Sequence, residues 1–235
     1  MIKKAVCLIS GGLDSCVTAN IAKNKGFEIY AITFDYGQKH RKEINCAKKI
    51  AQSVDAKKHI IFKININEFG GSSLTDESLD TELDHELSDI GKEIPITYVP
   101  GRNTVFLSIA LSYAEAIDAG SIFIGVTATD YSGYPDCRPE FIKAFQKVVN
   151  IATKKGVEGK IIKINAPVLN LKKSDIIKKG KELNACFQNT WSCYVGEKKA
   201  CGRCDSCLLR LKGFKESGFK DPIKYKKLPD WYIEK

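Results

Sequence analysis

The stretch that decides the fold is Ser10-Gly11-Gly12-Leu13-Asp14-Ser15, which lies between an apolar run and a helical pattern. Residues 5–9 predict a buried strand and residues 14–25 predict a helix. A strand that ends in two glycines and opens a helix directs backbone N–H groups at one point, at the positive end of the helix dipole. The glycines let the backbone approach a ligand closely, and the two serines add hydroxyl donors. The stretch therefore predicts a phosphate-binding loop.

This loop is not of the kinase type, which needs a lysine after its last glycine, since no lysine lies between Lys4 and Lys23. A simpler alternative is a glycine turn in which Asp14 or Ser15 caps the helix. The six residues resemble the S-G-G-x-D-S signature of the ATP pyrophosphatases, which split ATP into AMP and pyrophosphate while adenylating a substrate. The resemblance implies an ATP site formed by Ile9, Ser10, Gly11, Gly12, Leu13, Asp14, Ser15, Cys16, Val17, Thr18 and Ala19.

Length and composition predict one α/β domain with a small C-terminal segment. The chain has 235 residues without an internal repeat or a low-complexity tract. Its start is too short an apolar run for a signal peptide, and no apolar run reaches the roughly 18 residues of a membrane helix. We therefore expect a cytoplasmic protein, with an ATP pyrophosphatase domain at residues 1–184 and a metal-binding segment at residues 185–235.

The charge pattern is informative mainly through the arginines. The net charge is +9, but 32 of the 37 basic residues are lysines spread along predicted helices, as on an ordinary solvated surface. The charge is therefore only weak evidence for a nucleic-acid partner. Arginine offers a planar bidentate fork that lysine lacks, so the few arginines of a lysine-rich chain indicate sites. Four of them lie in the motifs described below: Arg102, Arg138, Arg203 and Arg210.

Strand and helix patterns alternate along the chain. Strands are predicted at residues 5–9, 28–34, 58–64, 122–126 and 160–164. Helices are predicted at residues 14–25, 40–54, 104–119, 140–154 and 171–183. This alternation predicts a parallel five-stranded sheet with helices on both faces and right-handed crossovers. Ligands of such sheets bind at the carboxyl ends of the strands.

The stretch from Asn65 to Pro95 interrupts the alternation. It begins with two glycines and two serines and continues with an acidic run at residues 76–89 that has few apolar residues. Insertions of this length are uncommon in compact domains unless they are mobile or functional. A solvated excursion and an active-site lid are the two interpretations. The isolated His85 within it is assigned no role.

A helix start, a loop and one lysine supply candidate substrate-binding and catalytic residues. Arg102 and Asn103 precede a predicted helix, beside the sheet edge where ligands bind. The loop at residues 127–139 groups polar, aromatic and charged side chains, which is typical of a pocket, although capping of the helix after it is the alternative. Its candidates are Asp130, Tyr131, Tyr134, Asp136, Cys137 and Arg138. Lys173 is a candidate for neutralising phosphate charge, although other lysines on its predicted helix are typical of a surface.

Four cysteines with metal-ligand spacing mark the C-terminal segment. The pattern is Cys193-x7-Cys201-x2-Cys204-x2-Cys207, and each x2 step lets two thiolates meet one ion. Four thiolates around one zinc would leave no open position, so the site would be structural, with the nearby lysines and arginines offsetting its charge. An iron–sulfur cluster is the alternative, because C-x2-C steps with a further cysteine also occur in ferredoxins. The other five cysteines are expected to pack as small apolar side chains.

With these motifs placed, the whole chain resembles the 7-cyano-7-deazaguanine synthase family of the queuosine and archaeosine pathways. The match is carried by residues 10–15, 98–103, 131–139 and 190–207. The resemblance implies a Rossmann-like, adenine-nucleotide α-hydrolase-like fold and zinc rather than iron–sulfur at the four cysteines. The acidic insertion matches none of the family's motifs.

The resemblance also implies an ATP-dependent carbon–nitrogen ligase that converts 7-carboxy-7-deazaguanine and ammonia to the nitrile. Adenylation would turn a carboxylate oxygen into a leaving group, ammonia would give the amide, and a second activation would give the nitrile. ATP, Mg²⁺ and one structural Zn²⁺ per chain would be the cofactors. Ammonia would be free or delivered by a separate protein, because no glutaminase segment fits in this length.

Roles for individual residues follow as hypotheses. Asp14 would bind Mg²⁺, and Arg102 or Arg138 would grip a phosphate or the substrate carboxylate through its bidentate fork. Asp130 or Asp136 would accept hydrogen bonds from the purine-like ring. The expected catalytic residues are Asp14, Arg102, Arg138 and Lys173, and the expected substrate-binding residues are Arg102, Asn103, Asp130, Tyr134, Asp136 and Arg138.

Two other functions stay open at this point. An ATP-dependent tRNA thiolation or amidation enzyme of the same superfamily would bind its substrate with a steep salt dependence. A zinc-ribbon nucleic-acid-binding protein would show no turnover. The tail at residues 221–235, with Trp231 and Tyr232, would pack on the domain or on the partner subunit of a homodimer.

Overall fold

Five parallel strands form the central sheet in a computed structural model that describes residues 2–128, 133–196 and 198–233. The strands are β1 (Lys4–Leu8), β2 (Glu28–Asp35), β3 (Lys58–Lys63), β4 (Ser121–Phe123) and β5 (Lys163–Asn165). Their order is β3-β2-β1-β4-β5, and every pairing is parallel. The chain moves outward from β1 in one direction and then in the other, so the order reverses between β1 and β4. The predicted five-stranded parallel sheet is confirmed, and ligands of such sheets bind at this reversal.

Helices cover both faces of the sheet. They are α1 (Leu13–Asn24), α2 (Lys42–Ser53), α3 (Arg102–Ala116), α4 (Pro139–Ala152), α5 (Lys154–Val157), α6 (Lys173–Glu182), α7 (Asp205–Ser217) and α8 (Asp230–Ile233). Side chains alternate along β1, so Val6 and Leu8 pack in the core under α3 and α4, and Ala5 and Cys7 pack in the core under α1 and α2. The two cores enclose the sheet, as the alternating sequence pattern predicts.

The C-terminal segment adds a third layer that the sequence did not predict as a helix. Helix α7 packs on α6, and both lie against α1 through a third apolar cluster. Phe187 and Phe214 meet edge to face there, with ring centroids 5.6 Å apart. The tail packs on this layer, since the Lys215 ammonium donates to the Trp231 carbonyl. Among the described residues, every helix is too short or too polar to cross a bilayer.

Two strands are shorter than predicted. The sequence pattern ran to residue 126, whereas β4 ends at Phe123, and β5 starts at Lys163 rather than at residue 160. The Ile124 amide still donates to the Asn165 carbonyl at 2.9 Å, and the chain then leaves the sheet. Gly125 lies against the first turn of α1, where a Cβ would come 2.7 Å from the Ser15 nitrogen. The apolar run therefore continues into the wall of a cavity rather than into a longer strand.

The insertion at residues 65–95 contains a well-buried stretch at residues 72–75. Ser72, Ser73, Leu74 and Thr75 are all buried, and the Ser73 amide donates to the Ile96 carbonyl at 3.0 Å. Leu74 itself lines the cavity described next. This buried stretch is therefore part of the wall of that cavity, and the acidic part of the insertion continues toward the cysteine segment.

Candidate active site

The phosphate-loop candidate is held in shape by its own serines. The Ser15 hydroxyl accepts from the Ser10 amide at 3.2 Å and donates to the Gly12 carbonyl at 3.0 Å, while the Gly12 amide donates to the Ser10 hydroxyl at 3.2 Å. Gly12 is the N-cap of α1 and no side chain caps this helix, so capping by Asp14 or Ser15 is wrong. The first-turn amides of a helix have no partner within the helix. The loop can therefore present them to an anion.

Packing against a neighbouring helix requires a glycine at position 11. Its φ of +92° is in the left-handed region, and a Cβ there would lie 2.2 Å from the Glu43 carbonyl oxygen on α2. Its own carbonyl accepts from the Trp191 amide at 2.8 Å. Gly11 thus joins the loop to α2 and to the C-terminal segment, and the three meet at one end of the cavity.

Asp14 and Lys173 form an ion pair across the entrance of this loop. The Lys173 ammonium lies 2.8 Å from both carboxylate oxygens of Asp14, and the two side chains are 14% and 24% exposed. Lys173 is therefore at the phosphate loop, unlike the surface lysines that follow it on α6. The pair presents both a cation and a carboxylate to whatever the loop binds.

A cavity of about 260 Å³ opens at the carboxyl ends of β1, β2 and β4. The phosphate loop contributes Ser10, Gly12 and Asp14, and the strand ends contribute mainly apolar side chains. Helix α3 contributes Arg102, Asn103 and Phe106, and the C-terminal segment contributes Trp191, Ser192, Tyr194, Ser206, Leu209 and Arg210. An anion-binding loop next to an apolar chamber with a few polar groups is the arrangement of a small-molecule site.

The structure brings some predicted residues to this cavity and places others elsewhere. The following line it: Ile9, Ser10, Gly12, Leu13, Asp14, Ser15, Arg102, Asn103, Tyr134 and Lys173. Deeper in α1, Cys16, Val17, Thr18 and Ala19 are buried in the packing of the helix and do not reach it. Asp130 lies outside the described residues. Arg138 is exposed and borders a separate recess with Lys92 and Glu93, so the structure does not gather it with Arg102.

Asp136 has a partner within the protein. Its carboxylate accepts from the Asn103 amide at 2.9 Å and from the Asn103 side chain at 3.3 Å. Burial raises the pKa of Asp136, while the Asn103 amide and the Arg102 guanidinium lower it. These bonds fix the first turn of α3 and so fix the adjacent Arg102, which lies with its guanidinium 5.7 Å from the centre of the Tyr36 ring. In this structure Asp136 positions α3 and does not line the cavity.

Glu43 is a cavity-lining carboxylate that the sequence analysis missed. It lies in the first turn of α2, where a glutamate is typical of the ordinary charged surface of a helix. Among the described residues its side chain has no hydrogen-bond or ion-pair partner. Burial raises the pKa of Glu43 to about 7, although the Arg102 guanidinium lowers it. No signal in the sequence could have shown this, because it depends on the contact between α2 and Gly11.

Arg210 is the centre of a buried network in the wall of the cavity. Its guanidinium donates to the Asp221 carboxylate at 2.7 and 3.0 Å and to the Thr190 hydroxyl at 2.8 Å. It also donates to the Ser192 hydroxyl at 3.3 Å. The sequence predicted that Arg210 offsets the charge of the cysteine cluster. The structure shows that its guanidinium also binds Asp221, Thr190 and Ser192. The network fixes both neighbours of Trp191 in the cavity wall.

The four cysteines converge as the spacing predicts. The sulfur atoms of Cys193, Cys201, Cys204 and Cys207 lie within 4.8 Å of one another and all four residues are buried. The Cys201 and Cys207 sulfurs are 3.8 Å apart, and tetrahedral zinc with Zn–S bonds of about 2.3 Å places its sulfurs about 3.8 Å apart. Backbone amides donate to the sulfurs, including Gly196 to Cys193 at 3.0 Å, which suits thiolates. A multi-iron cluster is larger and would hold the sulfurs farther apart, so the cluster fits a single zinc ion.

The acidic insertion is joined to the cysteine segment. The Arg203 side chain binds the Asp84 carboxylate through two nitrogens, and the Asp84 amide donates to the Arg203 carbonyl at 2.9 Å. His85, to which the sequence assigned no role, lies 2.9 Å from the Asp205 carboxylate through Nδ1. Leu83 packs against the cysteine cluster. Residues 83–85 are therefore bound to the same segment that carries the cysteines.

Comparison with known proteins identifies the family. The model of the family described as "Queuosine biosynthesis protein QueC" matches residues 4–218. A 7-cyano-7-deazaguanine synthase from Thermoplasma volcanium is 51% identical over 232 residues, which cover 99% of this chain and 95% of the relative. Relatives with the same name from Citrifermentans bemidjiense and Coxiella burnetii are 53% and 54% identical, over 97% and 95% of this chain and 100% and 98% of theirs.

Among solved structures, an NMN synthetase from Francisella tularensis is similar at 17% identity, with a TM-score of 0.49, over 93% of this chain and 79% of that chain. The family model covers residues 4–218, and the three relatives match this chain over nearly its full length. The chain belongs to the QueC family of queuosine biosynthesis proteins.

Proposed function

We propose that this chain is a 7-cyano-7-deazaguanine synthase, a carbon–nitrogen ligase that uses ATP and ammonia to convert 7-carboxy-7-deazaguanine to its nitrile. The observation that carries the proposal is that the phosphate loop and Arg102 face one small, mainly apolar cavity, in a chain whose near full-length relatives bear this name. A cavity of about 260 Å³ suits a small heterocycle beside a nucleotide phosphate better than a tRNA. No observation favours the two alternatives, a tRNA thiolation or amidation enzyme and a zinc-ribbon nucleic-acid-binding protein.

A carboxylate is a poor electrophile, so the first task of the site is to activate it. The helix N-terminus after Gly12 would bind ATP phosphates, and Lys173 would offset their charge. Asp14 offers the carboxylate oxygens that Mg²⁺ prefers, and when bound the ion would neutralise the leaving pyrophosphate. Attack of the acid on the α-phosphate would then give the acyl adenylate. Ammonia would convert it to the amide, and a second activation would lead to the nitrile.

Arg102 is the better placed of the two arginine candidates. It lines the cavity and is held by the Asp136–Asn103 contacts, whereas Arg138 faces solvent. Its guanidinium would grip the substrate carboxylate or a phosphate as a bidentate fork. Tyr134 and Asn103 would contact the ring. Asp130 remains a hypothesis for the ring N–H groups, and Asp136 and Arg138 would need side-chain positions other than those found here to contact the substrate.

One structural zinc per chain is part of the proposal. Four thiolates at the distances found here would leave the ion no open position, so it would supply stability and not chemistry. Cys193 directly follows Trp191 and Ser192, which line the cavity. The zinc site would thus hold one wall of the chamber, with the segment at residues 185–235 wrapped on the ATP pyrophosphatase domain at residues 1–184.

The test is AMP formation from Mg-ATP and ammonium, with and without 7-carboxy-7-deazaguanine, with the product mass measured in the same samples. We expect AMP only when the acid is present and a product with the mass of the nitrile. The proposal would be refuted if AMP formed at the same rate without 7-carboxy-7-deazaguanine, or if AMP formation required tRNA. Loss of the product in Arg102→Lys with retention in Arg138→Lys would support the preferred arginine.

A further inference from the structure

The proposed reaction consumes ammonia, and none of the roles assigned so far handles it. At neutral pH ammonia in solution is almost entirely ammonium, which has no lone pair to attack an acyl adenylate. A site that uses it must attract a cation and then remove a proton next to the reacting carbon. The inference below rests on the proposed function and assigns this step to a residue.

Two carboxylates among the described residues line the cavity, and only one is engaged. Asp14 holds the Lys173 ammonium, whereas the Glu43 carboxylate has no hydrogen-bond or ion-pair partner among the described residues. A carboxylate without a hydrogen-bond partner that faces a chamber can bind a cation that enters it, and this contact offsets the cost of burying its charge. Glu43 therefore has the chemistry of a site for a small cation.

The backbone fixes Glu43 at the phosphate-loop end of the cavity. Its carbonyl is packed so closely on Gly11 that a single added Cβ would lie 2.2 Å from it. The Trp191 amide binds the same glycine at 2.8 Å, which brings a cavity wall to this end as well. Under the proposed function the phosphate loop binds the ATP phosphates, so Glu43 lies on the helix packed against the place where the adenylate would form.

We propose that Glu43 binds ammonium in the cavity and accepts its proton, which makes ammonia available to attack the acyl adenylate. One N–H bond of ammonium breaks and its proton passes to a Glu43 oxygen. The nitrogen lone pair forms the C–N bond, the C–O bond to AMP breaks with its electron pair leaving on the AMP phosphate, and a second proton leaves to solvent. No oxidant or reductant is needed.

The electrostatic surroundings agree with this assignment. Arg102 on α3, Tyr36 after β2, Cys193 on the cysteine segment and Cys46 on α2 are the charged or titratable groups that interact with Glu43. Burial raises the pKa of Glu43 to about 7, and Arg102 limits the rise. A base with a pKa near the working pH is the most effective proton acceptor.

The experiment compares Glu43→Gln with Glu140→Gln, because Glu140 is also in the first turn of a helix but is exposed and outside the cavity. Three rates are measured for the wild type and both variants: acid-dependent exchange of pyrophosphate into ATP without ammonium, kcat/KM for ammonium, and hydroxamate formation from hydroxylamine. Hydroxylamine is largely uncharged at neutral pH and needs no base before it attacks.

We expect Glu43→Gln to keep the exchange and hydroxamate rates of the wild type and to lose about 100-fold in kcat/KM for ammonium. Glu140→Gln should match the wild type in all three. Unchanged ammonium use in Glu43→Gln would overturn the assignment, and so would an equal loss with ammonium and hydroxylamine, which would make Glu43 a residue for ATP or the acid. Absence of exchange in the wild type would instead refute the proposed function, and this is measured first.

Discussion

An Asp221→Asn substitution would break the buried ion pair that anchors the wall of the cavity. Asp221 accepts from two nitrogens of Arg210 at 2.7 and 3.0 Å, and the Arg210 and Asp221 side chains are only 2% and 1% exposed. The Tyr225 hydroxyl also donates to this carboxylate at 2.7 Å. An asparagine keeps the shape but removes the negative charge, so the guanidinium is left buried without its counter-ion.

The expected loss is about 3–5 kcal/mol in the free energy of unfolding, because removal of one partner leaves an uncompensated buried charge. The chain offers a matched control in Asp84 and Arg203, which form the same two-nitrogen contact with side chains 53% and 45% exposed. Solvent screens an exposed pair and water replaces the lost partner, so Asp84→Asn should have only a small effect.

The assay is urea unfolding of both variants and the wild type, followed by fluorescence of Trp191 and Trp231, with the metal content of each sample measured first. Equal losses in the two variants would refute the reasoning, since burial is the difference between the pairs. A loss below about 1 kcal/mol in Asp221→Asn, which is the range of surface pairs, would refute it too.

Three further predictions follow from the site. Gly11→Ala should lose at least about 2 kcal/mol of stability, because the new Cβ meets the neighbouring helix carbonyl at a positive φ, while Gly120→Ala, with no atom within 4 Å, should lose little in the same urea assay. Cys204→Ser should lose the bound zinc measured by mass spectrometry, and the wild type should show zinc without the visible absorbance of an iron–sulfur cluster. The raised pKa of Glu43 means that the folded state binds its proton more tightly than the unfolded state, so this residue costs stability as pH rises from about 4.5 to about 7. Glu43→Gln should therefore be more stable than the wild type at pH 8, by up to about 3 kcal/mol, and equal to it near pH 4. Equal stability of the two proteins at pH 8 would contradict the raised pKa. In the wild type, kcat/KM for ammonium should fall as the pH drops below about 7.

The parts of the fold that depend on local pattern could be predicted from the sequence. The alternation of apolar runs and helical periods predicted all five strands, and the glycine pair at residues 11–12 located the phosphate loop. The turn at residues 98–103 located the start of α3 to within two residues, since the helix was predicted from residue 104 and begins at Arg102. The predictions of these features are correct because each feature depends on residues that are close together in the sequence.

The rest of the site depends on contacts between residues far apart in sequence. Glu43 and Arg210 have ordinary neighbours, and only the packing of α2 on Gly11 and of α7 on α6 brings them to the cavity. Helix α7 was missed because its first turn carries a cysteine of the metal cluster and Gly213 interrupts its pattern. That glycine is needed because a Cβ there would lie 2.4 Å from the Lys173 side chain. The contacts of residues 83–85 with the cysteine segment could not be predicted, because no periodic pattern in the sequence indicates them.

The C-terminal location of one cavity wall has a consequence for synthesis on the ribosome. The phosphate loop is made within the first 15 residues, yet Trp191, Ser192 and Arg210 must be present before the chamber is closed on that side. A nascent chain that has released only the sheet and its helices therefore holds an open, half-built chamber. Ligand binding would therefore become possible only late in synthesis, after Arg210 and its partner Asp221 have emerged and the segment that carries the four cysteines has folded.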